Sequence, residues 1–102
     1  MDINVYTDRI KFWAIERGLD TADPHKQALK LSEELGELCE GLAKDNRELV
    51  KDAIGDMFVV MTILSMQLDL NIEDCIEHAY NEIKDRQGRM VNGVFVKEED
   101  LK

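Results

Sequence analysis

The segment from Met57 to Met66 constrains the fold of this chain most. Of its ten residues, only Thr62 and Ser65 are not apolar. Wound into a helix, such a run leaves no solvated face, and a helix that is apolar all round has to be covered on every side. It is well short of the ~20 residues that cross a bilayer, so the covering material is protein. A chain of 102 residues is a single domain, and a four-helix domain of that size struggles to enclose one of its own helices. The expectation is a homodimer or homotetramer, with this segment at or near the subunit contact.

The rest of the chain is punctuated by one proline and six glycines. A first helix is expected over 3–17, with Ile3, Tyr6, Ile10, Trp13 and Ile15 as an imperfect apolar stripe and Gly18 as its stop. Asp23 before Pro24 is a start signal, an N-cap carboxylate followed by proline at the first helical position. The second helix runs from there to about 43. Its residues Ala28, Leu31, Leu35, Leu38 and Leu42 fall at 3-4-3-4 spacing and make one seam. A short polar turn, 44–48, favours an antiparallel third helix over about 47–68. Asn71 caps a fourth helix that runs to about Arg86, and Gly88 stops it. In the tail, Asn92-Gly93 between short apolar runs is a hairpin signal. The expected architecture is all-α and four-helix bundle-like over 1–86, with 87–102 as a tail or small hairpin. Cys39 and Cys75 have no metal-type spacing and are expected as small buried hydrophobes.

The charge balance excludes some functions. Asp and Glu number 22 against 13 Lys and Arg, a formal net of -9. A protein that tracks a nucleic-acid backbone needs a basic face to displace counterions, and an anionic membrane surface asks for the same. Neither partner is expected, and with no signal-peptide pattern the chain reads as cytoplasmic. Carboxylates gathered in one place are a different matter. They attract a divalent cation, and through it a phosphate ester.

Two groups of carboxylates qualify, Glu33, Glu34, Glu37 and Glu40 on the second helix and Asp52 and Asp56 on the third. At 100° per residue, Glu34 lies roughly 80° and Glu37 roughly 140° from the centre of the leucine seam, on the same side. Glu33 and Glu40 point away from it. On the third helix Asp56 lies roughly 100° and Asp52 roughly 140° from the seam, again on one flank. Packed antiparallel, the two flanks face each other across a groove. Converging carboxylates repel and raise one another's pKa, and a hard cation such as Mg²⁺ relieves that repulsion. Acidic residues on helix flanks are also commonly just solvated, and spacing alone does not separate the two readings.

These residues resemble a known family. Lys30-Leu31-Ser32-Glu33-Glu34-Leu35-Gly36-Glu37-Leu38, then Asp52-Ala53-Ile54-Gly55-Asp56, is similar to the MazG-like nucleotide pyrophosphohydrolases, whose signature is E-x-x-E and, on the next helix, E-x-x-D. The likeness spans about 13–86, and the closing Gly88-x-Met90-x-x-Gly93-Val94-Phe95-Val96-Lys97 resembles the tail of small phage-type members. Glu34 and Glu37 match the first half and Asp56 the last acid. Where the family carries the second-half Glu, this chain has Ala53. Asp52, one residue earlier, shares a helix face with Asp56 and is the candidate replacement.

The resemblance implies hydrolysis of a nucleoside triphosphate to the monophosphate and pyrophosphate. Mg²⁺, with Mn²⁺ as the second candidate, would be held by Glu34, Glu37, Asp52 and Asp56. Glu33, Glu37 and Asp52 are candidates to orient or deprotonate water. Lys84 and Arg86, in Asn81-x-x-Lys84-x-Arg86, resemble the family's N-x-x-K element and would meet the leaving pyrophosphate, although cations also suit a helix C-terminus for its dipole alone. Lys30 is a further phosphate candidate, and equally a surface partner of Glu34. Trp13 and His25 could meet a base, while a Trp on an apolar stripe also suits a core. Two other functions stay open, a catalytically silent helical interaction protein, which Ala53 favours, and a phosphoribosyl-ATP pyrophosphohydrolase.

Overall fold

The computed structural model describes residues 1–101 and forms helices at the expected places: α1 (Ile3–Glu16), α2 (Pro24–Ala43), α3 (Arg47–Gln67) and α4 (Ile72–Ile83), followed by β1 (Gly88–Val91) and β2 (Val94–Lys97). The starts are side-chain caps. Asp2 Oδ1 accepts from the Val5 amide at 3.1 Å, Asp23 Oδ1 from His25 at 2.9 Å and Asn46 Oδ1 from Leu49 at 3.2 Å, each satisfying an amide that the helix leaves without a partner. No helix among the described residues is long and apolar enough to cross a membrane.

The chain divides into two compact units that part between Ile72 and Glu73, so the fourth helix groups with the hairpin rather than with the first three helices. In the first unit α2 and α3 form the main pair, and α1 packs on α3. The turn between α2 and α3 is tight. Asp45 takes φ 53° and the Asn46 amide reaches back to the Gly41 carbonyl at 2.8 Å, a six-residue closure typical of a left-handed helix end.

The face that α2 buries differs from the leucine seam. Its covered positions are Gln27, Leu31, Glu34, Leu38 and Gly41, while Leu35 is 49% and Leu42 66% exposed. The stripe is rotated by about 60°, so that Glu34 stands within the packed face and not on its flank. The cause is Gly41. A Cβ there would meet Val50 Cγ2 at 2.9 Å and the Val50 amide nitrogen at 3.1 Å, so the helices close together over a glycine that a hydrophobicity count passes over. Gly41→Ala is expected to destabilise the fold by about 1–2 kcal/mol, since overpacking outweighs the gain in helix propensity. Chemical denaturation reads it.

Opposite, α3 buries Ala53, Val60, Thr62, Ile63 and Ser65. The two hydroxyls are satisfied within the helix, Thr62 Oγ1 donating to the Phe58 carbonyl at 2.8 Å and Ser65 Oγ to the Thr62 carbonyl at 2.6 Å, so neither is left unpaired in an apolar face. Ile54 and Met61 remain exposed. On α1 the covered residues are Thr7 and Ala14, and the expected stripe of Ile3, Tyr6, Trp13 and Ile15 lies exposed beside them. Both cysteines are also exposed, contrary to the buried role expected of them. Cys39 follows Leu38 and so turns off the packed stripe of α2.

The second unit holds α4 and the hairpin. Asn92 and Gly93 take φ 50° and 82°, the two left-handed positions of a type I′ turn, and the strands pair Gly88 with Lys97 through Val91 with Val94. Gly88 has no room for a side chain, because a Cβ would collide with the Val96 carbonyl oxygen.

Candidate metal centre

One turn of α2 presents Glu34 and Glu37, three residues apart and therefore neighbours on the helix surface. Asp56 comes to them from α3. Among the described residues these three carboxylates form a group in which one oxygen from each lies within 4.8 Å of the others. Glu34 is buried, at 7% exposure, whereas Glu37 and Asp56 are exposed. The group thus has one buried carboxylate and two that face solvent.

Glu34 carries the electrostatic signature. Its pKa is raised above the ordinary 4.5 by burial first, then by the Glu37 charge, by a hydrogen bond with Glu37 and by the Asp56 charge, with Lys30 pulling the other way. Its Oε2 is buried without a hydrogen-bond partner. A buried carboxylate oxygen left unpaired is costly, and this one sits among like charges. A hard divalent cation answers both problems, and an all-oxygen donor set suits Mg²⁺ or Mn²⁺.

The other expected residues divide cleanly. Asp52 and Glu33 are both exposed, and neither is a member of the group. Ala53 is completely buried in the α3 stripe. Lys30, one turn before Glu34, is close enough to act on its charge. Asn81, Lys84 and Arg86 belong to the second unit, on α4 and just after it. Trp13 is 44% exposed and so is not core. His25 Nδ1 lies 3.1 Å from its own N-cap, Asp23, on the surface. Arg9, outside every sequence motif, lines a groove with Trp13. A lone Arg on a polar helix turn gives no motif by which to find it.

A helical scaffold presenting a three-carboxylate centre from two antiparallel helices defines a class of acidic, metal-suited helical proteins. Residues 23–91 match the model of the MazG nucleotide pyrophosphohydrolase domain, and the chain belongs to that family. It is also similar to a protein of Haemophilus phage HP1 (strain HP1c1), named "Uncharacterized 18.2 kDa protein in rep-hol intergenic region", with 48% identity over 67 residues. That match covers 65% of this chain and 41% of the phage protein. No solved structure matches the chain.

Proposed function

We propose that this chain is a divalent-cation-dependent nucleoside triphosphate pyrophosphohydrolase, releasing a nucleoside monophosphate and pyrophosphate. The observation that carries the reading is the buried, unpartnered Oε2 of Glu34 in a group whose carboxylate oxygens lie within 4.8 Å of one another. Glu34, Glu37 and Asp56 would hold the cation, Mg²⁺ or Mn²⁺. When bound, it supplies positive charge and Lewis acidity to the phosphate oxygens. With Ala53 buried and Asp52 outside the group, the donor set suits one cation per chain.

The chain's own residues then do the following. Lys30 adds positive charge beside Glu34 and favours the polyanion. A water oxygen forms a bond to the α-phosphorus as the α–β bridging P–O bond breaks, and its electron pair leaves with pyrophosphate. The proton given up by the water passes to a carboxylate. Glu37 takes that role. Its membership of the group of three supports it over Glu33 and Asp52.

The test is pyrophosphate release from the common NTPs and dNTPs with Mg²⁺, with Mn²⁺ and with EDTA. Release with metal and none with EDTA is the expected result, and a calorimetric titration is expected to reach one Mg²⁺ per chain. No release from any substrate overturns the reading. The protein is further expected to self-associate. Leu35, Leu42, Ile54 and Met61 of the first unit are large apolar side chains left exposed, and sedimentation velocity at micromolar concentration checks whether a second copy covers them.

A further inference from the structure

We propose that the groove between α1 and α3 seats the base of a guanine nucleotide, with Arg9 as the specificity-determining residue. The inference rests on the pyrophosphohydrolase reading for the phosphates, and it names the substrate class. Tyr6, Arg9, Ile10 and Trp13 of α1 line the groove with Val59 of α3, enclosing about 300 Å³. Val59 lies three residues after Asp56, so the two are neighbours on one face of α3. A nucleotide whose phosphates meet the carboxylates therefore has an aromatic seat one helical turn away.

Trp13 suits stacking. The Arg17 guanidinium lies 4.3 Å from its ring centroid, and Arg17 Nη1 donates to the Trp13 carbonyl at 3.1 Å. A cation on one face of an indole is an attractive contact that holds the ring in place, while the ring also forms part of the groove wall. A half-exposed indole in an apolar groove is the kind of surface on which a base stacks, at ~1–3 kcal/mol per base.

Arg9 sets the choice of base. Among the described residues its side chain has no hydrogen-bond or ion-pair partner, although it lines the groove. Asp8 and Glu16 border the adjoining groove that Arg9 also lines. Their negative charge repels phosphate from this end and leaves the guanidinium for a neutral, acceptor-rich ring edge. Arginine offers five donors and no acceptor. Guanine presents O6 and N7 as adjacent acceptors for that fork, while adenine puts an amino donor where O6 would be.

Trp13 is the chain's single tryptophan, so its fluorescence reports the groove without any need for turnover. Titration with GMP is expected to quench it saturably, with AMP at least about tenfold weaker. In Arg9→Gln the two affinities converge, and circular dichroism confirms that this surface variant is folded. In parallel, kcat/KM for dGTP over dATP is expected to favour dGTP by about tenfold and to approach one in R9Q. Equal quenching by GMP and AMP, or a ratio unchanged in R9Q, overturns the proposal. Guanine-selective quenching with no turnover of any triphosphate keeps the base seat and sinks the pyrophosphohydrolase reading. Turnover without base preference does the reverse.

Discussion

Glu37→Gln is expected to lower metal-dependent pyrophosphate release by at least about 10²-fold, the low end of what a positioned proton acceptor contributes. The loss should exceed that, because the same carboxylate is a member of the metal group and its neutral amide is a poorer ligand. Asp56→Asn separates the two roles. Asp56 takes no proton in the proposed reaction, so its loss should weaken Mg²⁺ binding and be partly recovered at high Mg²⁺, whereas E37Q stays inactive at saturation. Initial rates across a Mg²⁺ series, with calorimetry on both variants, make the comparison. Recovery of E37Q at high Mg²⁺ would show that Glu37 is a ligand only, and would return the proton to Glu33 or Asp52.

Glu34→Gln is expected to act in opposite directions on stability and on metal binding. In the metal-free protein the buried Glu34 faces the Glu37 and Asp56 charges with one oxygen unpartnered. A neutral amide of the same shape relieves that repulsion. E34Q should therefore melt higher without metal, by ~4–8 °C if the relief is on the order of 1 kcal/mol. Saturating Mg²⁺ reverses the order, because a cation at 100 times its Kd stabilises the wild type by ~2.7 kcal/mol and the variant by almost nothing.

The pH dependence follows from the same shift. The folded state holds the Glu34 proton more tightly than the unfolded state does, so the associated stability is fully present below the ordinary value of 4.5. It declines as pH rises through the folded value, and is flat above it. Asp23 and Glu40 have lowered pKa values, from the His25 backbone amide and from Lys44 respectively, and so oppose this trend. The difference in Tm between wild type and E34Q, followed from pH 4 upward, isolates Glu34. A difference that stays constant with pH would mean that its carboxyl is not perturbed.

The helices and most of their ends are legible in the sequence because their causes are local; the end of α4, expected near Arg86, falls at Ile83. Asp23 caps and Pro24 starts α2 within two residues, Asn46 caps α3 and Asn92-Gly93 makes the turn, each through side-chain or backbone geometry that needs no distant partner. The acids were legible as a set too, since Glu34 and Glu37 are neighbours by helix pitch alone. Three features were not. Glu34 is buried on a packed face that it shares with Gly41, and an apolar count gives glycine no weight. The cysteines and Trp13 were read from the mean habits of their residue types, while their exposure depends on which side of a helix meets its neighbour. Arg9 acquires its place only from α3 lying beside α1.

The sequence by itself determined where the four helices lie, although α4 ends at Ile83 and not near Arg86, and that acids recur on two consecutive helices, with Ala53 where the family signature has Glu. Tertiary structure alone decided which acids meet. It drew Glu34, Glu37 and Asp56 together and left Asp52 outside the group, because which residues face the other helix depends on how α2 and α3 pack, close enough that a Cβ at Gly41 would meet Val50. Gly41 lies one helical turn beyond Glu37, but its contact is with the other helix, and no spacing along α2 encodes it.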